Sequence, residues 1–360
     1  MSIFTIVFFG VILSSCKRRS EEKQFLNQEE LKAIRGIFAF CIVCDHIALI
    51  LWKEQELKSV DKMFEWFGQS GPYIVAAFLF FSGYGLYKSW YTKGDCYIKS
   101  FPQKRFVSLL VPWGGMILLS FLIRNLLLHE NITVAHMISS LFNGSPIVPN
   151  GWYVMEQLLF YIIFYIGARI FGVKNRMKAF LFNFILVMAF VGFTIYLRYP
   201  EGWFISAFSF VLGEGYALFE EKNFLTVKRF YNLWLVTIGT LCLFLHVITG
   251  KLTNVILKAL LMNLSGGLFV CCVLILSYKF VIENKLLKLL GKISYELYMI
   301  HGLVILVFRS DVIYIYNKYW FLMAVVGVSI LAAVVFYNID CVLLSFINMK
   351  LENKEKRNRR

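Results

Sequence analysis

Arg35 and His46 lie in one almost wholly apolar stretch, Ile34 to Trp52 (IRGIFAFCIVCDHIALILW), with Asp45 beside the histidine. As an α-helix, the 11 steps between them turn through about 1100°, three turns plus roughly 20°. Both side chains then share one face, about 16 Å apart along the axis. A guanidinium near one end of such a helix holds an anion, and an imidazole set deep in it takes up or hands on a proton. Each ionisable group inside hydrocarbon costs about 3 kcal/mol on insertion scales, so its presence marks a functional-site hypothesis. A histidine hydrogen-bonded between helices for packing is the plainer use of His46, and the spacing alone does not choose between them.

Other polar groups fall at similar depths. Glu156 follows Gly151-Trp152-Tyr153 at the start of an apolar run, about 6 Å inward at 1.5 Å per residue, with Trp152 and Tyr153 at the level of an interfacial aromatic belt. His46 lies about 9 Å from its own outer end, so the depths of His46 and Glu156 are similar enough for contact. Ser294, Tyr298 and His301 follow at i, i+4 and i+7, a polar stripe on one helix face. Ser82-Gly83-Tyr84-Gly85 suits close helix packing or the passage of a thin ligand. Lys104, Arg105 and Lys292 stand at the ends of spans on the same side as Arg35. Glu214 and His246 read as helix-to-helix polar contacts.

These groups need helices to carry them. The 360 residues are 59% hydrophobic and only 16% charged, against about 25% charged in soluble domains. Hydropathy over windows that cross about 30 Å of hydrocarbon gives ten spans. They run 34–52, 72–91, 106–128, 152–171, 179–198, 203–219, 230–249, 259–278, 290–309 and 319–346. The expected fold is an all-α integral membrane bundle of about ten transmembrane helices. Residues 1–33 form an apolar run and charged lead-in, 34–346 the membrane domain and 347–360 a basic tail.

The net charge of +15 is not that of a nucleic-acid binder, because the basic residues sit in alternate connections. Segments 17–32, 88–105, 169–178, 220–229, 279–292 and 349–360 hold 27 Lys and Arg, and the opposite connections hold 8. The positive-inside rule puts both termini in the cytoplasm of a multi-pass cell-membrane protein, and the surplus charge meets lipid headgroups. Residues 3–15 and Ser14-Ser15-Cys16 superficially resemble a lipoprotein cleavage box, but no positive residue precedes the run. The run is expected to be a dispensable or interfacial leader. The loop 129–151 has no Lys or Arg and is placed to cover an outward-facing site. The eight cysteines show no disulfide framework or metal spacing.

Arg35-Gly36 with ten residues between Arg35 and His46, then FFSGYGL, KRFVSLLVP, GWYVMEQLLFY and LGKISYELYMIH, resemble in the same order the successive motifs of the membrane acyltransferase-3 family. The resemblance spans about 31–346. It implies an O-acyltransferase that moves an acyl group, usually acetyl from acetyl-CoA, onto a hydroxyl of a cell-envelope carbohydrate or lipid-linked saccharide in a bacterial plasma membrane. Acetyl-CoA is then a co-substrate, and no tightly bound cofactor or metal is implied. His46 is the expected general base and Glu156 its orienting or charge-balancing partner. Arg35, Lys104, Arg105 and Lys292 are expected on the CoA phosphates and Ser82 along the pantetheine arm. Trp152, Ser294, Tyr298 and His301 are expected to line the site. The chain differs from relatives with an appended extracytoplasmic esterase-like domain in lacking one.

A proton-coupled transporter or flippase of a sugar-containing solute also buries His, Glu and Arg. Such folds often repeat a Gly/Pro-broken span in both halves. Here the Arg-x₁₀-His arrangement occurs once and only Pro112 interrupts a span.

Overall fold

The computed structural model describes residues 1–19, 27–220 and 227–358, the last eight as backbone. Residues 20–26 and 221–226 of the charged connections and 359–360 of the basic tail lie outside it. The order is α1 Ser2–Ser14, β1 Cys16–Arg18, α2 Gln28–Lys53, α3 Gly71–Lys93, α4 Asp95–Leu127, α5 Val134–Ser140, α6 Trp152–Phe171, α7 Arg176–Tyr196, α8 Phe208–Leu218, α9 Tyr231–Thr249, α10 Val255–Lys279, β2 Phe280–Ile282, α11 Lys285–Lys292, α12 Ser294–Phe308 and α13 Lys318–Asn358.

All ten apolar stretches contain helix. Among the described residues seven helices are long and apolar enough to cross a membrane, or eight if the broken pair α11 and α12 counts as one span. The stretches 72–91, 203–219 and 290–309 make the difference from ten: α3 is long enough at 23 residues but less apolar, and the other two have local causes. The stretch 203–219 becomes helical only at Phe208, and α8 spans 11 residues, about 16 Å. Asn263 of α10 takes the place of its missing first turn, accepting from Phe208 N at 2.8 Å and donating to Phe204 O at 2.6 Å. Irregular backbone at membrane depth needs protein partners of this kind. The expected single helix 290–309 breaks at Ile293, whose backbone leaves the helical region.

The chain forms two compact units, one of residues 1–98 and 162–291, the other of residues 99–161 and 292–360. In the first, α2 starts at Asn27, whose side chain accepts from Glu30 N at 2.9 Å, with Glu29 and Glu30 in the positive first turn and Lys53 in the last. Helices α3 and α8 cross at reciprocal glycines: Gly83 faces the Phe210 carbonyl and Gly213 the Phe80 carbonyl, each too close for a Cβ. Glu214 accepts from Asn183 Nδ2 at 3.0 and 3.1 Å, and His246 donates to Gln69 from Nε2 at 3.0 Å while Nδ1 accepts from the Tyr73 hydroxyl at 2.8 Å. Both are helix-to-helix contacts, as their positions suggest.

Connections grouped by charge in the sequence meet at the same end of this unit. Lys88 pairs with Glu220, Lys17 with Glu283, and the Arg176 guanidinium lies 3.9 Å from the Tyr91 ring centroid. At the other end Lys258 pairs with Glu201. The ammonium of Lys17, hydrogen-bonded at 2.7 Å, holds the Glu283 carboxyl below its usual range. In the second unit α4 runs through Pro112 between two wider π-helical turns, Pro102–Phe106 and Ile123–Leu127, and the Tyr295 hydroxyl of α12 donates to Leu109 O at 3.0 Å.

Candidate active site

Helix α2 is unbroken from Gln28 to Lys53, so Arg35 and His46 do share a face. Both are half-buried, which leaves each within reach of a substrate. Backbone contacts fix the two ends of this face. Near Arg35, Gly36 faces the Leu287 carbonyl of α11 and Gly291 faces the Lys32 carbonyl of α2, each without room for a Cβ. The Arg35-Gly36 and Leu290-Gly291 motifs, 255 positions apart, are thus packed backbone to backbone.

Near His46, the Asp45 carboxylate is buried and accepts from Gly71 N at 2.8 Å. Ser70 offers α3 no side-chain cap; its hydroxyl donates instead to Phe67 O at 2.7 Å. Asp45 therefore caps α3 from α2. Gly71 is needed for this, since a Cβ there would lie 2.9 Å from Asp45 Oδ2. The turn that carries His46 is anchored at its own neighbour. Sequence reasoning noted Asp45 but gave it no role, because a cap supplied from another helix has no local pattern.

Ser82 is half-buried on α3. The glycine beside it, Gly83, is filled by α8, which closes the expected passage of a thin arm at that position. Gly85, two residues on and on the other side of the helix, has open space.

The second unit holds Lys104, Arg105, Trp152, Glu156, Lys292, Ser294, Tyr298 and His301. Lys104 is exposed and Arg105 half-buried in the π-helical turn at the start of α4. Lys292 is exposed, with its ammonium 4.8 Å from the Tyr337 ring centroid. The expected stripe survives the break at Ile293: Ser294 opens α12, and the Tyr298 and His301 rings lie 5.8 Å apart. His301 is fully buried, and its Nδ1 donates to Leu297 O at 3.0 Å. That bond fixes Nε2 as the ring nitrogen that carries the accepting lone pair.

The Tyr153 ring of α6 packs tilted against Tyr298 with ring centroids 4.9 Å apart, and the Tyr298 hydroxyl donates to Asn150 O at 3.3 Å. Asn150 has φ +62°, a conformation Asn tolerates better than most residues, and Pro149 and Asn150 press on Gly302 of α12. The end of the loop 129–151 therefore dips into the unit, with Ile147 and Val148 buried. Trp152 packs edge-on to Tyr153 at 6.3 Å.

Glu156 lies one turn beyond Tyr153 and is fully buried, and neither carboxyl oxygen has a hydrogen-bond partner among the described residues. A buried carboxyl without a partner is costly to the fold, a pattern typical of sites rather than scaffolds. Among the described residues no group of three His, Cys, Asp or Glu could hold a metal ion.

A family model described as an acyltransferase domain matches residues 28–338. The chain belongs to the acyltransferase-3 family. No curated protein and no solved structure matches it. The match begins with the first turn of α2 and ends inside α13, so this membrane acyltransferase carries the family domain across both units, with α1 and β1 outside it.

Proposed function

We propose that this acyltransferase moves an acyl group, acetyl from acetyl-CoA, to a hydroxyl of a cell-envelope carbohydrate or lipid-linked saccharide, with His46 as general base. The observation that carries the reading is the unbroken α2, with a guanidinium and an imidazole on one face about 16 Å apart and the turn of each anchored. In the proposed step neutral His46 accepts the proton of the acceptor hydroxyl as its oxygen attacks the thioester carbonyl. The C–O bond forms, the C–S bond breaks, and the departing CoA thiolate recovers the proton from the imidazolium.

Arg35 is proposed as a forked phosphate contact for the donor, and Lys104, Arg105 and Lys292 as further cations for it. Glu156 is proposed as the second proton-handling group, supported by its two unpartnered oxygens. Tyr298 and the Nε2 of His301 are proposed acceptor contacts, with Ser294 and Trp152 along the same lining. The basic connections are proposed to face the cytoplasm of a bacterial plasma membrane, where acyl-CoA is made.

The test is transfer of labelled acetyl from acetyl-CoA to envelope polysaccharide by the purified protein in nanodiscs, together with O-acetyl content in cells with and without the gene. Acetyl-dependent labelling that disappears with the gene supports the reading. Unchanged envelope acetylation and no transfer in nanodiscs overturn it.

A further inference from the structure

The helix outside the family match, α1, reads SIFTIVFFGVILS and holds no charged residue. It is tied at both ends to opposite ends of α2. At its start, Ser2 Oγ donates to Val60 O at 2.6 Å, in the connection that follows the last turn of α2. Midway, Phe8 stacks on Phe40 of α2 at 4.7 Å, and Phe4 packs on Phe40 and Phe64 at 5.9 and 6.1 Å. Beyond its end, β1 pairs antiparallel with β2, Cys16 opposite Ile282 and Arg18 opposite Phe280. Around that ribbon Glu283 N donates to Ser15 O at 2.9 Å and Arg19 N to Lys279 O at 2.8 Å. These partners adjoin α11, which packs on the first turns of α2. The segment thus runs antiparallel to α2 over its length.

We propose that α1 and β1 form a further membrane crossing whose outer face contacts lipid acyl chains, so that Ser2 and Lys17 lie on opposite sides of the bilayer. The placement fits. Thirteen helical residues give about 20 Å, and their two ends meet Val60 and the 280–282 strand, beyond opposite ends of α2, so the short crossing is matched by local thinning of the bilayer. The surface fits as well. Ile3, Val7 and Leu13 are 77%, 60% and 73% exposed, an apolar stripe suited to lipid, while the opposite face meets aromatic rings of α2 and its outer connection. The ribbon pairs the backbone of β1 at the membrane edge, where exposed Lys17 and Arg18 reach water.

Contacts and charge give the direction. Ser2 meets Val60 of the connection 53–71, β1 pairs with 280–282, and Lys17, Arg18 and Arg19 join the basic side, so β1 lies on the side of 279–292 and Ser2 on the side of 53–71. In this proposal the start of the chain is on the side opposite to the one expected from the sequence.

The test uses the full chain in cells, with all eight native cysteines replaced by Ser as background and a single cysteine introduced at Ser2, Val60 or Lys17. A membrane-impermeant maleimide should label Ser2→Cys and Val60→Cys from outside, and Lys17→Cys only after permeabilisation. Intact mass should show residues 2–15 retained. A spin label at Val7→Cys in liposomes should be relaxed by oxygen and not by a water-soluble nickel chelate, a readout independent of the Ser2 variant. Labelling of Ser2→Cys and Lys17→Cys from the same side, a mature chain beginning at Cys16, or nickel relaxation at Val7 would each overturn the proposal.

Discussion

Replacing His46 by Gln separates base from packing group. Glutamine keeps a hydrogen-bonding side chain of comparable reach but cannot become a cation by accepting a proton. General-base catalysis supplies about 10²–10⁴ in rate, so transfer should fall by about that factor, or about 2.7–5.4 kcal/mol at about 1.36 kcal/mol per decade. The structure argues that little else changes. His46 is half-buried rather than buried, the swap conserves volume, and Asp45 continues to pin the same turn to α3, so the stability cost should stay below about 1.5 kcal/mol. Donor binding should also persist, because Arg35 lies about 16 Å along the axis from the substituted position. The assay is single-turnover acetyl transfer in nanodiscs, with acetyl-CoA affinity by calorimetry and melting in detergent measured on the same preparation. A transfer rate within a few-fold of wild type in His46→Gln would refute the base assignment. A collapse in melting temperature that Gln shares with Ala would turn His46 into a packing residue.

Asp45→Ala removes the α3 cap and should lower stability by about 1 kcal/mol, while Asp45→Asn, which keeps an acceptor for Gly71 N, should lose less; thermal melting in detergent measures both. Arg35→Lys should weaken acetyl-CoA binding about tenfold, since an ammonium cannot reproduce a forked phosphate contact, and calorimetry reads this directly. Glu156→Gln should cut transfer by at least about 10² with melting unchanged or raised, because it neutralises a buried carboxyl that has no hydrogen-bond partner to lose. Gly291→Ala drives a methyl into the Lys32 carbonyl and should cost about 1–3 kcal/mol, whereas Gly85→Ala meets open space; the yield of folded protein from size-exclusion chromatography separates the two.

The start of α2, capped by Asn27 with acids in the first turn, lies in what reads from the sequence as a charged lead-in, whereas its membrane part was legible from its unbroken apolar run. The break at Ile293 was not, because ISYELYMIH is helix-compatible throughout, and nothing local marks the close approach of Gly291 to Lys32 beside it. The short start of α8 depends on Asn263, some fifty residues away, and the hold on the His46 turn depends on a glycine amide of α3. Both are tertiary hydrogen bonds that leave no periodicity. For residues 3–15 composition shows that the run is apolar, while only Phe40, Phe64 and the β2 strand show what it packs against.

Glycines show most plainly where a one-dimensional reading stops. Gly83 and Gly85 stand two residues apart in one motif, yet one meets a backbone carbonyl and the other nothing within 4 Å. On a helix two residues separate side chains by about 200°, so one neighbouring helix can cover only one of them. The motif therefore specifies a crossing at Gly83 and leaves Gly85 free for another purpose. The same logic applies to Arg35-Gly36. Gly36 faces the α11 backbone, and Arg35, about 100° around α2, is turned away from that contact while being held near it. A small residue beside a charged one thus fixes the height and rotation of the charge, which a donor phosphate contact requires and a loosely packed surface arginine does not provide.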